Sequence, residues 1–322
     1  MTSHRSRVVG VVTSFNPSDD LITHCAELQR QVSKVVVVDD GSNEESNETL
    51  AKLESSGVHV IHLEENLGIG HAINVGVEAA KAFSTDFVVT FDQDSSIQPM
   101  FIDALVDEQD RLEKRGVRVG MVAPNYYSKT SQGRLSSDSE FLEAESPIQS
   151  GLLMSLEVIE QLGEQREDFF IDLIDTEYAL RARRDGYAIA CVPGLILPHG
   201  FGHQLYVHAL GRRLHKADGR PRLVAVSSPF RYYYRARNRV LLNREFRRMR
   251  AFRRELLRQT MNDLILDYGV ALWSARKKWA LVRVISAGWR DGFRGRTGKI
   301  PPKISAIAED ISWRHPVSDE IR

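Results

Sequence analysis

An α/β fold, with a mostly parallel sheet and helices on both faces, is what this sequence predicts, and three observations predict it. Four short apolar runs (residues 8–13, 35–38, 58–63 and 87–91) are continuous rather than alternating, the pattern of strands buried on both faces. Segments of helical period separate them, and that alternation calls for crossover helices and parallel strands. The first, second and fourth runs each end in a short polar loop, so loop chemistry gathers at one sheet edge. Open α/β sheets bind their ligands at that edge.

Taken in order, Val-Val-Gly-Val-Val-Thr at 8–13 opens the sheet, and Ser14-Phe15-Asn16-Pro17-Ser18 breaks the strand. Leu21, Cys25, Leu28 and Val32 recur at helical spacing, with Ser18 or Asp19 as N-cap. Strand 35–38 ends in Asp39-Asp40-Gly41-Ser42. A helix over 44–55, a strand over 58–63, the turn Glu65-Asn66-Leu67-Gly68-Ile69-Gly70 and a helix over 71–83 come next. Strand 87–91 stops at Asp92-Gln93-Asp94. After a helix starting near Pro99 and a strand over 117–123, the polar stretch 126–146 reads as a mobile loop or β-excursion over the site. Order resumes at 148–154. Residues 169–181 then pass through Asp172, Asp175 and Glu177 into a helix ending near Gly186, and strand 187–192 precedes His199 and His203.

The chain has 322 residues, enough for one large domain or a domain with an appended region. Its two cysteines, Cys25 and Cys191, have neither metal spacing nor a disulfide framework, so a reducing compartment is expected. The opening residues hold no apolar signal segment, and no run reaches the ~18 apolar residues of a membrane span. A cytoplasmic location follows as the expectation. The 43 basic and 43 acidic residues cancel, yet residues 231–258 carry eleven arginines against Glu245 and Glu255. That asymmetry points to an anionic partner: phosphate, nucleic acid or a membrane surface.

Asp92 and Asp94 carry the first chemical signal. Residues i and i+2 project to one side of an extended backbone, so both carboxylates face one point beyond the strand. They repel unless a cation or proton intervenes, which suits a hard divalent cation holding a phosphate-bearing substrate. The bland alternative is a polar turn capping the next helix. Gly68 and Gly70 fail the dinucleotide fingerprint, whose glycines follow the first strand. They read either as a tight turn with close helix approach or as backbone N–H groups near a nucleotide. Asp172, Asp175 and Glu177 read as helix capping with Arg181 and Arg183 as partners, or as a second chemical cluster. His199, in a glycine-flanked turn, is a metal ligand or a structural histidine.

The Val-Val-Val-Asp-Asp-Gly-Ser run at 36–42, the Asn66-x-Gly68-x-Gly70-x-x-x-Asn74-x-Gly76 pattern and Asp92-Gln93-Asp94 together resemble the family 2 glycosyltransferases of the GT-A fold. The Phe-Phe-Ile-Asp-Leu-Ile-Asp-Thr-Glu-Tyr stretch at 169–178 and the Pro-Phe-Arg-Tyr-Tyr-Tyr-Arg-Ala-Arg-Asn-Arg stretch at 229–239 look more like the bacterial rhamnosyltransferase branch. The resemblance covers roughly residues 7 to 245. It implies a catalytic domain over 1–228 and a basic helical region over 229–322. It implies a nucleotide-sugar site formed by Thr13, Asn16, Asp39, Asp40, Asn66, Gly68, Asn74, Asp92 and Arg231. Mn2+ or Mg2+ would be held by Asp94, with Asp92 and His199. Asp175 aligns with the second acid of the family's Glu-Asp pair, the catalytic base; the first position is Ile174 here. Asp172 and Glu177 therefore compete with Asp175 for that role.

The implied reaction is inverting transfer of a sugar, L-rhamnose from dTDP-L-rhamnose, onto a lipid-linked or polysaccharide acceptor. A UDP-hexose or UDP-galactofuranose donor is the alternative within the fold. A nucleotidyltransferase would need a glycine-rich basic loop at 13–17, and none is there. In the C-terminal region Leu242, Phe246, Met249, Phe252 and Leu256 predict one basic amphipathic helix, and Ile265, Tyr268, Leu272, Ala275, Trp279 and Val282 a second. These pack on the catalytic domain or another subunit, or dock on an anionic membrane. No nucleic-acid-binding module is present in the sequence.

Overall fold

The computed structural model describes residues 7–135, 140–198, 202–209 and 212–317. They divide into two compact units, Met1–Phe170 with Ile174–Gly200, and Ile171–Leu173 with Phe201–Arg322. The second unit thus takes in residues ahead of 229 and a tripeptide from the second acidic cluster. No helix among the described residues is long and apolar enough to cross a membrane.

In the first unit, β1 (Val8–Ser14), β2 (Lys34–Asp39), β3 (His59–His62) and β4 (Phe87–Asp92) alternate with α1 (Asp20–Gln29), α2 (Asn47–Ser55) and α3 (Ile69–Ala80). Then come α4 (Phe101–Glu113), β5 (Val119–Tyr127), β6 (Thr130–Ser131), β7 (Gly133–Leu135), β8 (Leu142–Ala144) and β9 (Leu152–Ser155). The unit closes with α5 (Leu156–Leu162), α6 (Ile174–Arg184) and β10 (Ala188–Leu197). The sheet runs β3-β2-β1-β4-β9-β5-β10-β8-β7, with β6 on β5. Strands β1 to β4 pair in parallel, as does β10 with β5, whereas β9 is antiparallel to β4 and β5. The polar stretch at 126–146 is the β-excursion: its short strands extend the sheet through β8 on β10.

The continuous apolar strands are explained by the two faces they cover. Val8 and Val12 pack with Leu21, Leu28, Phe101 and Leu105 of α1 and α4, while Val9 and Val11 pack with Ala72, Ile73 and Val77 of α3. Alternation is present, but both alternating sets are apolar, so the sequence shows an unbroken run.

The second unit holds β11 (His203–Tyr206), β12 (His208–Ala209), β13 (Arg212–Arg213), β14 (Leu223–Val226), α7 (Arg231–Phe246) and α8 (Arg253–Asn262). A π-helical turn, Asp263–Asp267, leads into α9 (Tyr268–Ser274), α10 (Lys278–Phe293) and α11 (Pro302–Glu309). Strand β11 pairs with β14, and β12 with β13, both antiparallel. Its core is unusual: Tyr232, Tyr233, Tyr234, Arg237 and Asn238 of α7 are all buried. Helix α10 comes close because Gly288 and Gly292 lack side chains; a Cβ on Gly292 would lie 2.7 Å from the Arg237 carbonyl oxygen. The Tyr233 hydroxyl donates to Asp291 (2.9 Å), and the Arg237 guanidinium stacks on Tyr234, 4.9 Å from the ring centroid.

Two expectations fail here. Neither amphipathic pattern is one helix: the first breaks between Phe246 and Arg253, and the second at Ala275, whose ψ of 135° is extended. Trp279 and Ile265, two members of the second pattern, are exposed. The arginine-rich segment is also less free than its composition implies. Arg231 and Arg235 bind Asp172, Arg235 also binds Asp267, and Arg239 binds Asp263.

Candidate active site

The strand register sets the site. Ser14 lies opposite Asp39 and Thr13 opposite Asp92, so the loops after β1, β2 and β4 leave the sheet side by side. Side chains then lock them together. The Ser42 hydroxyl accepts from the Asn16 N–H (2.7 Å), Asn16 Oδ1 accepts from the Asn43 N–H (2.9 Å), and Gln93 Oε1 accepts from the Phe15 N–H (2.7 Å). Asn16 takes a positive φ of 49°, a conformation asparagine tolerates better than most residues. Thr13, the strand residue beneath this junction, is buried.

Asp39 and Asp40 are only 4% and 5% exposed, and their oxygens organise neighbouring loops. Asp39 accepts from the Ser42 hydroxyl and Asp40 from the Leu67 and Gly68 N–H groups at 2.7 and 2.9 Å. Burial pushes the Asp40 carboxyl above its ordinary range, with the two N–H bonds pulling against that rise. Beside it the Asn66 Oδ1 is buried with no hydrogen-bond partner.

The glycine pattern is a packing device. Gly68 sits at φ 97° and ψ 163°, and a Cβ there would meet the Phe170 backbone, its Cα at 2.8 Å. A Cβ on Gly70 would lie 2.6 Å from the Arg166 carbonyl oxygen, and one on Gly76 would overlap Val11. Asn74 serves the same contact. Its Nδ2 donates to the Gln165 carbonyl and to Glu167, and its Oδ1 accepts from the Gln165 N–H, all at 2.9–3.0 Å. Gly68 and Asn74 thus clamp residues 165–170 onto α3, and the Asn74 amide groups are engaged there rather than turned to a nucleotide.

Asp92, half-buried, ends β4, and Asp94, exposed, follows it. The Asp92 N–H donates to the buried Ser150 hydroxyl (3.2 Å), which also meets the Ser95 hydroxyl (2.7 Å). Thr90 binds the Gln149 carbonyl and the Gly151 N–H. The turn bearing both carboxylates is therefore held from below by the segment entering β9. Ser150, Gln93 and Ser42 have no assigned role in the motif reading. Two carboxylates two positions apart offer hard oxygen donors of the kind a divalent cation takes. Among the described residues no group of three or more His, Cys, Asp or Glu is placed to hold a metal. His199 lies outside the described residues.

The second acidic cluster separates into three environments. Asp175 lies half-buried in the first turn of α6, its Oδ1 accepting from the Thr176 N–H (2.7 Å). The Thr176 hydroxyl in turn meets Ser146 (2.8 Å), four residues from Ser150. Glu177, 2% exposed in its side chain, is bound by Arg181 through both oxygens at 2.6 and 3.1 Å, the i,i+4 pair its spacing permits. In the second unit Asp172 is gripped by Arg231 (2.6 and 3.0 Å) and Arg235 (3.1 Å). Burial disfavours its charge, but the two guanidiniums outweigh that and hold its carboxyl below the ordinary carboxylate range. Glu177, Asp172 and Arg231 are thus held in ion pairs. Phe170, Asp172 and Leu173 adopt φ of 66°, 67° and 65°, costing about 1–3 kcal/mol each.

The parallel-stranded α/β unit carries two acidic turns at one sheet edge, and the chain belongs to the family 2 glycosyltransferases. Residues 11–155 match the family profile of glycosyl transferase family 2. The chain is 31% identical over 252 residues to the dTDP-rhamnosyl transferase RfbF of Shigella flexneri, a match covering 74% of this chain and 81% of that protein. Among solved structures, TarS 1-349 of S. aureus in complex with UDP-GlcNAc aligns with a TM-score of 0.56 at 16% identity, covering 94% of this chain and 83% of that one. A longer S. aureus TarS structure aligns at 0.53 and 16% identity; the match covers 94% of this chain but spans only half of that one. These two likenesses establish the fold. The α/β sheet and glycosyltransferase class expected from the sequence both hold.

Proposed function

We propose that the protein transfers L-rhamnose from dTDP-L-rhamnose, with inversion, onto a hydroxyl of a lipid-linked or polysaccharide acceptor at the inner face of the plasma membrane. The interlock of the loops after β1, β2 and β4 carries the reading, because it presents Asp92 and Asp94 beside the nucleotide-type turn at Asp39 and Asp40. The similarity to RfbF supports the donor. Thr13, Asn16 and Asn66 line the nucleotide side of this edge, and Asp39 and Asp40 shape it through Ser42 and residues 67–68. Asp94, with Asp92, would hold Mn2+ or Mg2+, which when bound supplies electrostatic stabilisation to the leaving diphosphate.

Asp175 takes the proton of the attacking hydroxyl as the new bond forms opposite the leaving group. That single displacement needs no covalent intermediate, so in this reading Asp175 acts as base and not as nucleophile. The test is nucleoside diphosphate release from a panel of nucleotide sugars, with Mn2+ or Mg2+ and with chelator. Metal-dependent turnover of dTDP-L-rhamnose alone is expected. Turnover of a UDP-hexose or UDP-galactofuranose would replace the donor, and chelator-resistant turnover would remove the metal.

A further inference from the structure

The C-terminal unit contains a cleft of about 680 Å³ lined by α7, α8, the π-helical turn and α10. Its apolar walls are Val240, Leu256, Leu257, Leu264, Trp289 and Phe293. Leu257 and Phe293 are 65% and 70% exposed, and the adjoining Ile265 and Leu266 are 61% exposed each. Exposed apolar side chains gathered at one cleft mark an interaction site. Its charged lining is all cationic, Arg239, Arg244, Arg247 and Arg253, beside the neutral Asn243 and Thr260.

The four arginines are not equivalent. Arg239 is neutralised by Asp263 (2.7 Å), and Arg244 donates to the Gly292 and Phe293 carbonyls. Arg247 and Arg253 have no ion pair among the described residues, and they flank the turn between α7 and α8. The wall they stand on is fixed, since the Asn243 amide donates to Thr260 (2.9 Å), tying α7 to α8. A held apolar trough with two uncompensated guanidiniums at its edge complements one kind of molecule, an anion attached to a hydrocarbon body.

We propose that this cleft binds an anionic membrane phospholipid. The phosphate lies against Arg247 and Arg253, and the chain lies along Leu256, Leu257, Leu264, Trp289 and Phe293. The charge asymmetry of the sequence thereby resolves into a small set of functional cations. The site is separate from the donor chemistry and stands or falls independently of it.

Co-sedimentation of the full chain with vesicles tests the assignment. Binding is expected to phosphatidylglycerol mixed into phosphatidylcholine and not to phosphatidylcholine alone. Arg247→Gln with Arg253→Gln should weaken it roughly 30-fold, from about fivefold per arginine at a membrane surface. Leu257→Ser should weaken it with all charges intact. Arg220→Gln with Arg222→Gln, which removes two exposed cations elsewhere in the same unit, should leave it unchanged. Donor turnover in solution and the unfolding midpoint should be the same in every variant. Four results would overturn the proposal: equal binding to neutral vesicles, equal loss in the Arg220/Arg222 variant, no effect of Leu257→Ser, or displacement by free glycerol phosphate as effectively as by lipid. A dimer that dissociates on Leu257→Ser, without vesicle binding, would give the cleft to a second copy of the chain.

Discussion

Replacing Gly68 by alanine tests the link between the glycine pattern and catalysis. At φ 97° and ψ 163° the backbone is in a region open essentially only to glycine, so alanine costs about 1–3 kcal/mol before any contact is counted. Its Cβ would then press on the Phe170 backbone, which cannot rotate away as a side chain could, adding about 1–3 kcal/mol. The total of about 2–6 kcal/mol is a large share of a typical 5–15 kcal/mol stability. At roughly 3 °C per kcal/mol, the midpoint should fall by about 6–18 °C. Relief comes only by moving residues 166–170, which lead towards α6 and Asp175. A measurable loss of turnover should therefore persist well below the new midpoint. Gly76→Ala is the control: it meets the Val11 side chain inside the α3 packing, and should lower stability with little effect on the turnover of folded protein. Calorimetry with diphosphate-release assays on both variants decides. Full stability and activity in Gly68→Ala would refute the argument, as would matching activity losses in the two.

Other substitutions probe the acids one at a time. Asp175→Asn should abolish turnover while leaving donor affinity by calorimetric titration nearly intact; equal loss of both would put the base elsewhere. Arg235→Gln should remove about 1.5–3 kcal/mol from the C-terminal unit at neutral pH, because Asp267 loses its Arg235 partner and Asp172 keeps Arg231 but loses Arg235. The folded-state pKa of Asp172 is depressed. Its stabilisation is thus present above the unfolded value near 3.9 and lost as pH falls below it. Urea unfolding at successive pH values should show this acid slope in the wild type and a flatter one in Arg235→Gln. Burial pushes the Cys25 and Cys191 thiols up to about 12, so neither should react with iodoacetamide in folded protein and both should in urea.

What the sequence reveals, and what it hides, divides along one physical line. Burial of a face repeats along the chain, and so β1 to β4, α1 and α3 were legible from periodicity. Strand-end loops follow from strand ends, and so the acidic turns at Asp39 and Asp92 were legible too. Partnership does not repeat. The antiparallel β9 between β4 and β5 is a choice of neighbour made some sixty residues away, and nothing within Leu152–Ser155 encodes its direction. The breaks that divide the C-terminal patterns fall at Met249 and Ala275, which continue a helical spacing that the backbone abandons.

The same line runs through the site. Asn66, Gly68 and Asn74 form one motif in the sequence, yet Gly68 and Asn74 serve a loop about one hundred residues downstream, while the Asn66 Oδ1 has no hydrogen-bond partner. Type and spacing identify a motif without saying which atoms face the ligand. Where a partner is local the sequence offers it: Arg181 stands four residues after Glu177 and pairs with it, although the sequence reading kept Glu177 among the candidate bases. Asp172 offered no such sign, because its cations come from Arg231 and Arg235, about sixty residues away. An acid with a basic residue at i+4 is therefore a poor candidate for a base. An acid without one needs the fold before it can be judged: Asp172 is paired with Arg231 and Arg235, and Asp175 accepts from the Thr176 N–H.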